Sequence, residues 1–334
     1  MTREIFLVCS VVNLLIGFPS VFVHRYRDID PKIRAECMHE LGGWILTLPD
    51  VFFDGTYLRY MGWVLSDTMP STRLEVVKAL TKLFRRKDSV AGLRHFTERF
   101  RPRLVEMGTR DADSNVRTAT VELLDVVREV GYLEPSDIST IGRLLFDSEQ
   151  KVRRAVVPFF VENLNDEYND KLESLGGDEA VKEALGSEQE DYEGPTLAWI
   201  KLKCLVEALA SYDQEEADEE DGQVQSLLAE KNSSIVTKVG EIVSRYSLAG
   251  AVLWDSLDEV RDWEGIARYL LFDHSASRAG GEAEPEDVEK VIRSVVALDA
   301  KEDIILLQVL NASVTGTIIK GPEPSHKRKP GQTV

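Results

Sequence analysis

The chain has 334 residues and 43% of them are hydrophobic, so it can bury a sizeable core and does not belong to the disordered class. Its 58 acidic and 40 basic residues give a net charge of −18, which opposes nonspecific adhesion to nucleic acid and confines any DNA contact to a local patch. The three cysteines, Cys9, Cys37 and Cys204, are widely spaced, which excludes a disulfide framework and a zinc site and fits a reducing compartment.

An apolar segment covers residues 1–21. Its apolar run, residues 5–18, is fourteen positions long, whereas a bilayer span needs about 20. A signal-peptide core has this length, but the preceding residues are weakly charged and no small-x-small cleavage pattern comes before Phe22. We therefore expect a buried helix or a wrongly assigned start of translation. A cleaved leader, residues 1–20, on a secreted helical protein is the alternative.

An internal repeat with a period near 40 residues follows. Four times, an acidic residue and a short turn precede an arginine that opens an amphipathic run: Asp30 and Arg34, Asp67 and Arg73, Asp111 and Arg117, Asp147 and Arg153. The arginines are separated by 39, 44 and 36 residues, which is typical of HEAT repeats. We expect two helices per repeat, with the aspartate capping the second helix and the arginine reaching back to the preceding acid.

Apolar residues recur at helical spacing after three of these arginines. The stripes are Val76, Val77, Leu80 and Leu83, then Val121, Leu123, Leu124 and Val127, then Val156, Val157, Phe160 and Val161. Such stripes are buried only against neighbouring helices, so the units must stack. The predicted fold class is all-α, a HEAT-like α-solenoid of stacked antiparallel helix pairs.

The later part of the chain is also predicted to be helical, with polar interruptions. Further HEAT-like repeats are expected over 108–212, ending in a helix over 196–211, and helical repeats resume over 224–320. Helices within that second region are predicted at 224–246, 249–261 and 288–311. Acidic or small residues predict solvated loops at 213–223 and 275–286, and the basic tail, 321–334, is expected to be disordered.

Residues 22–107 carry strings that are highly specific. Residues 22–37 read FVHRYRDIDPKIRAEC, and ELGGW, YLRYMGW and FTERF follow at 40–44, 57–63 and 96–100. These strings strongly resemble the stromalin conservative domain of the cohesin regulatory subunits. Because members of that family extend well beyond this segment at both ends, the chain resembles a truncated member.

The resemblance implies a non-catalytic scaffold subunit of the cohesin complex, nuclear and chromatin-associated, that acts in sister-chromatid cohesion and chromatin organisation. The implied partners are the kleisin subunit of cohesin, DNA, and regulatory proteins with short aromatic-containing motifs, without a cofactor, a membrane or a small-molecule substrate. A peptide-docking groove would use Arg59, Tyr60, Trp63 and Arg99.

A helical wheel over residues 55–65 offers an independent test of this groove. Leu58, Met61 and Leu65 fall on one side and form a core stripe, whereas Tyr60 and Trp63 fall nearly opposite. Outward aromatic rings beside arginine are favourable interface anchors. The alternative is that both rings pack against the next repeat, and that the arginines are ordinary surface residues.

A positively charged segment covers residues 73–103, with ten basic side chains against three acidic ones. Such a patch suits phosphate contacts without base readout, and a solvated helix face is the alternative. The predicted DNA-contacting residues are Lys78, Lys82, Arg85, Arg86, Lys87, Arg101 and Arg103.

No catalytic pattern is found in the sequence. None of the five histidines lies in an HExxH motif, and neither GxSxG nor GxxxxGK[ST] occurs. We therefore predict neither an enzyme nor a metal site. The runner-up interpretation is a HEAT-repeat adaptor of another class, such as a transport receptor or a phosphatase scaffold.

Overall fold

The computed structural model describes residues 21–185, 194–219, 234–236, 242–274 and 288–320. The predictions for the N-terminal residues 1–20, the loop at 275–286 and the tail at 321–334 lie outside the described residues. The described residues form two compact units, one that ends at Leu144 and one that starts at Leu145. The predicted boundary after residue 107 lies within the first unit.

Nine helices are described in the first unit. Four of them, α2, α3, α5 and α9, begin at a proline, whose fixed φ suits the first helical position. The helices are α1 (Val23–Arg25), α2 (Pro31–Thr47), α3 (Pro49–Phe52), α4 (Gly55–Val64), α5 (Pro70–Phe84), α6 (Lys87–Val90), α7 (Arg94–Arg110), α8 (Ser114–Glu129) and α9 (Pro135–Gly142).

These helices pack in two layers. Helices α2, α5 and α8 lie side by side in one layer, and α4, α7 and α9 pack in sequence in the other, with α7 also against α8. The predicted stripes of α5 and α8 are buried between these helices. Stacked helix pairs of this kind are the HEAT-like arrangement, so the predicted fold class is confirmed here.

An arginine ladder, formed by Arg34, Arg73, Arg117 and Arg153, holds the turns before α2, α5, α8 and the helix that begins at Gln150. In each case Nη1 donates to the carbonyl oxygen six residues earlier, that of Asp28, Asp67, Asp111 or Asp147, at 2.6 to 2.8 Å. The predicted staple therefore forms, but the oxygen that it reaches back to belongs to the backbone and not to a carboxylate.

The carboxylate partners of the ladder come from the next repeat. Arg34 binds both carboxylate oxygens of Asp67 at 2.6 and 2.7 Å, and Arg73 binds those of Asp111 at 2.8 and 2.6 Å. Burial raises the pKa of Asp67, but hydrogen bonds from Arg34 and the Met69 amide outweigh it and hold that pKa below its ordinary value. Each ladder arginine of this kind thus joins two successive repeats.

The second unit is also mainly helical. Its helices are α10 (Gln150–Ser174), α11 (Asp178–Leu185), α12 (Leu197–Glu219), α13 (Arg245–Leu253), α14 (Asp258–Arg261), α15 (Trp263–Leu271), α16 (Val288–Val295) and α17 (Ala300–Lys320). Two short strands, β1 (Ser234–Val236) and β2 (Ile242–Ser244), pair antiparallel with Ile235 opposite Val243. The all-α prediction is confirmed apart from this pair of strands.

Helix α17 forms the centre of the second unit. It packs against α12, α13, α14 and α15, and its buried Glu302 forms an ion pair with Lys203 of α12, with Nζ to Oε2 at 2.6 Å. By length and composition α17 also passes the test for a membrane-spanning helix, with a mean hydropathy of 1.3. One face of the helix is used for packing inside this unit.

Several boundaries in the second unit differ from the predictions, and the helix predicted over 249–261 is divided into α13, which begins at Arg245, and α14. Helix α12 continues to Glu219, so the acidic stretch from residue 213 is helical at first, because glutamate and alanine favour helix and extend a helix that is already formed. The helix predicted over 224–246 is wrong at the two strands. The helix predicted over 288–311 is interrupted between α16 and α17, where Asp299 accepts from the amides of Lys301 and Glu302.

Candidate peptide-docking surface

Helix α4 carries the aromatic residues of the predicted groove. Asp54 caps its first turn by accepting from the Thr56 amide at 2.8 Å. Leu58, Met61 and Leu65 are buried, so the predicted core stripe is confirmed. The core side of α4 is therefore the one that the helical wheel indicated. The structure differs from the prediction on the opposite side of α4, part of which is covered by other side chains.

Tyr60 does not point into solvent, which corrects the prediction. Its side chain is only 7% exposed, because Phe22 and Tyr26 from the segment around α1 fold over it. The ring of Tyr60 makes edge contacts with Tyr26, at a centroid distance of 4.9 Å, and with Phe22, at 5.4 Å. Edge-to-face pairs at these distances stabilise an aromatic cluster, so Tyr60 is part of the core.

Trp63 remains at the surface, as predicted. Its side chain is 41% exposed, and the buried Tyr60 supports it edge-on at 5.4 Å between ring centroids. Two exposed arginines flank the indole, with Cζ of Arg59 at 5.5 Å and Cζ of Arg27 at 5.9 Å from its ring centroid. At such distances a guanidinium is attracted to the face of the ring.

Arg99 lies on α7, which contacts α4. A Cβ atom added at Gly62 would be 2.1 Å from Cζ of Phe100, so α4 and α7 are in direct contact at this point. Arg99 directly precedes Phe100 on α7 and is exposed. Its Cζ lies 5.4 Å from the Phe100 ring centroid. We define the docking surface as Arg27, Arg59, Trp63 and Arg99.

The arginines of the docking surface, Arg27, Arg59 and Arg99, form no ion pair within the described residues. A guanidinium without an internal carboxylate partner keeps its hydrogen-bond donors available for a ligand. The docking surface therefore presents one large aromatic face and several free cationic donors.

Arg27 and Tyr26 were missed as site residues by the sequence reasoning. Both lie in the FVHRYRD string, about 35 positions before Trp63, so a wheel of α4 alone could not include them. Only the folding of the segment around α1 over α4 brings them to the indole. The Arg-Tyr-Arg spacing, which alternates buried and exposed positions, was the available signal.

The seven predicted DNA-contacting residues differ in whether they are paired within the protein. Lys78 pairs with Glu75, Arg101 with Glu134 and Asp137, and Arg103 with Glu106. Arg86 donates to the Leu46 carbonyl oxygen. Exposed residues that form no ion pair within the described part of the chain are Lys82, Arg85 and Lys87.

The described cysteines have raised pKa values. Burial raises the pKa of the Cys204 thiol to about 11 and also raises that of Cys37. A thiol of this kind is poorly nucleophilic at neutral pH. Among the described residues no group of three or more histidine, cysteine or acidic side chains is arranged to hold a metal ion.

Comparison with known proteins gives a consistent result. Residues 27–101 match the family model of the stromalin conservative domain. The chain is 36% identical over 297 residues to the cohesin subunit psc3 of Schizosaccharomyces pombe, which covers 89% of this chain and 29% of that protein. It is 27% identical to the cohesin subunit SCC3 of Saccharomyces cerevisiae, over 88% of this chain and 26% of that one.

A solved structure agrees on the fold. The cohesin subunit Scc3 from Z. rouxii superimposes with a TM-score of 0.64 at 22% identity, over 95% of this chain and 32% of that chain. The chain thus spans less than a third of the length of these relatives. Residues 27–101 therefore contain a stromalin conservative domain, and along nearly its whole length the chain is similar to part of the cohesin subunits that carry this domain.

Proposed function

We propose that this chain is a non-enzymatic scaffold segment of a cohesin subunit, and that its docking surface binds short aromatic-containing segments of regulatory proteins. Its place of action would be the nucleus, on chromatin, in sister-chromatid cohesion. The kleisin subunit of cohesin and DNA are the further partners of this proposal.

The observation that carries the proposal is the environment of Trp63. Its ring is 41% exposed, is held by buried Tyr60 and is flanked by Arg27 and Arg59. Contact of this apolar ring with water is unfavourable, so a ligand that covers it gains binding free energy. Tryptophan and arginine are the residues most enriched among those that dominate binding energy at interfaces. Because Tyr60 holds the indole in place, little conformational entropy is lost when a ligand binds.

The chemistry of the surface indicates the ligand. An aromatic side chain would stack on the exposed indole, and Arg59 and Arg99 would donate to carbonyl or carboxylate oxygens of the bound segment. The ligand we propose is therefore an extended peptide with an aromatic residue and nearby acidic or carbonyl acceptors. The runner-up, an adaptor of another class, has no such observation in its favour.

The test uses fluorescence anisotropy with a labelled peptide that carries an aromatic residue next to acidic residues. We expect Trp63→Ala combined with Arg99→Glu to weaken binding by at least about a hundredfold, since loss of one hot spot alone costs about 2 kcal/mol or more. The helical circular dichroism of the variant should be unchanged, because both side chains are exposed.

Trp263→Ala is the matched control, because Trp263 is also 41% exposed but lies on α15 in the second unit. We expect this variant to bind the peptide with unchanged affinity. Retained affinity in the Trp63 and Arg99 double variant, or an equal loss in the Trp263 variant, would count against the docking surface.

A further inference from the structure

We propose that a pocket beside the docking surface binds a phosphate group, carried by a phosphoserine or phosphothreonine of the docked segment. This inference rests on the proposed docking function and adds a chemical requirement to it. The pocket has a volume of about 230 Å³, and its charged lining consists of Arg73, Arg103, Glu106, Arg110 and Asp111. We call these five residues the arginine pocket.

The charges of the arginine pocket leave a positive excess. Arg73 and Asp111 neutralise each other through two hydrogen bonds, at 2.8 and 2.6 Å, and both are buried. Arg103 pairs with Glu106, Nη1 to Oε2, at 2.7 Å. Arg110 is exposed and forms no ion pair within the described residues, so one positive charge lacks an internal partner.

Arg103 is held in place for a ligand. Its Nε and Nη2 donate to the Leu65 carbonyl oxygen at 3.3 and 3.1 Å, which fixes the plane of the guanidinium. Its counter-ion, Glu106, has a side chain that is 56% exposed and is free to turn toward water. An incoming anion can therefore take the place of Glu106 without movement of Arg103.

The charge of the ligand follows from this exchange. A carboxylate that displaced Glu106 would only replace one single negative charge by another. A phosphate monoester carries about −1.5 to −2 charges at pH 7 and three strong acceptors, so it can bind Arg103 and Arg110 together. The carboxyl end of α7, at Arg110, adds partial negative charge that opposes any anion, so the two guanidiniums together must outweigh it.

The arginine pocket adjoins the docking surface. Arg99 of the docking surface is four residues before Arg103 on α7, so the two residues lie on one face of that helix. A peptide with its aromatic residue on Trp63 therefore needs to continue by only a few residues to reach Arg103 and Arg110. Recognition of phosphorylated segments by arginine clusters is a known mode of peptide binding.

The experiment compares fluorescein-labelled aromatic peptides that carry serine, phosphoserine or glutamate at each position from two to five residues on either side of the aromatic residue. We expect phosphoserine at one or two positions to tighten binding to the full chain about tenfold. Glutamate at the same position should tighten it less than about threefold.

Variants of α7 assign the gain to the pocket. Arg110→Gln should remove the advantage of the phosphoserine peptide and leave the serine peptide within about twofold of its original affinity. Arg94→Gln removes the same charge from the other end of α7, where Arg94 pairs with Glu98, and should leave the phosphoserine advantage intact. An equal effect of both variants would mean long-range attraction only and would overturn the pocket.

The outcomes separate this inference from the docking function. If the serine peptides bind and phosphoserine gives no gain, or if glutamate gives the same gain, the phosphate pocket is overturned and the docking surface stands. If Arg110→Gln weakens binding of duplex DNA and not of phosphopeptides, the pocket is a DNA contact and the inference is also overturned.

If no peptide binds, the docking surface fails, and inorganic phosphate then tests the pocket directly. Shifts of the Arg103 and Arg110 Nε–H signals in nuclear magnetic resonance, lost from Arg103 in the Arg110→Gln variant, would sustain a phosphate site. Signals that do not move on titration with inorganic phosphate would overturn it.

Discussion

Gly62 lies where α4 crosses α7, and the Phe100 ring fills the space that a side chain would need. The three closest ring carbons are 2.1 to 2.5 Å from the position of an added Cβ. Trp63 and Arg99 are the chain neighbours of these two residues, so the close approach limits how far apart they can lie. A residue without a side chain is therefore part of what forms the docking surface.

We expect Gly62→Ala to reduce the free energy of unfolding by about 1–3 kcal/mol, because the core must expand to admit the methyl group. It should also weaken peptide binding, since α4 and α7 must separate. Urea unfolding followed by circular dichroism measures the first effect, and anisotropy measures the second.

Gly43→Ala is the control for this prediction. Nothing lies within 4 Å of an added Cβ at Gly43, which is also within a helix. The alanine should stabilise α2 by about 0.5–1 kcal/mol through its higher helix propensity. Similar destabilisation by both alanines would refute the role given to the contact between Gly62 and Phe100.

At the scale of the helices, the arginine ladder is the element that joins one repeat to the next. Arg73 holds its own turn through the Asp67 carbonyl oxygen and the following repeat through the Asp111 carboxylate. The ion pair is buried, with side-chain exposures of 8% for Arg73 and 3% for Asp111. Removal of one partner therefore leaves an uncompensated charge inside the protein.

Asp111→Asn should destabilise the first unit by about 3–5 kcal/mol, because Arg73 keeps its buried charge and loses its counter-ion. Chemical unfolding is the measurement. Asp113→Asn is the control: Asp113 caps α8 by accepting from the Asn115 and Val116 amides, and asparagine caps equally well, so we expect a change within about 0.5 kcal/mol. A comparable loss in both variants would contradict the bridging role of the ladder.

For the whole molecule, the net charge of −18 makes DNA binding depend on a few residues that have no internal partner. Lys82, Arg85 and Lys87 are exposed and form no ion pair within the described residues. The other members of the predicted patch are held by acidic side chains or, for Arg86, by a carbonyl oxygen. Of the predicted patch, we therefore expect the short basic edge at the end of α5 and the start of α6 to contribute most to DNA binding.

If this edge binds duplex DNA, the slope of log K against log salt should be about −3, since each phosphate contact contributes about −0.9. Substitution of Lys82, Arg85 and Lys87 by glutamine should abolish this binding. Lys78→Gln, at a residue that pairs with Glu75, should change it little. A slope near about −6 would mean that the paired arginines leave their partners and join the interface, contrary to the proposal.

The repeat period, the buried stripes of α4, α5 and α8 and the resemblance to the stromalin conservative domain could be read from the sequence, because they depend on local spacing and on short specific strings. Which side chains stay accessible could not. Tyr60 was predicted to be outward and is covered by Phe22 and Tyr26. Burial depends on segments that meet only after folding, and a helical wheel contains a single segment.

The same reason explains the ladder and the charges. The spacing of the arginines indicated a stapled turn, but only the stacking of repeats showed that Arg34 binds Asp67 and that Arg73 binds Asp111, each in the following repeat. A count of basic residues also cannot show which of them are already paired, because the partner can lie tens of positions away, as Glu134 does for Arg101. The local order of residues thus determined the elements, and contacts between elements determined the surface that is left for partners.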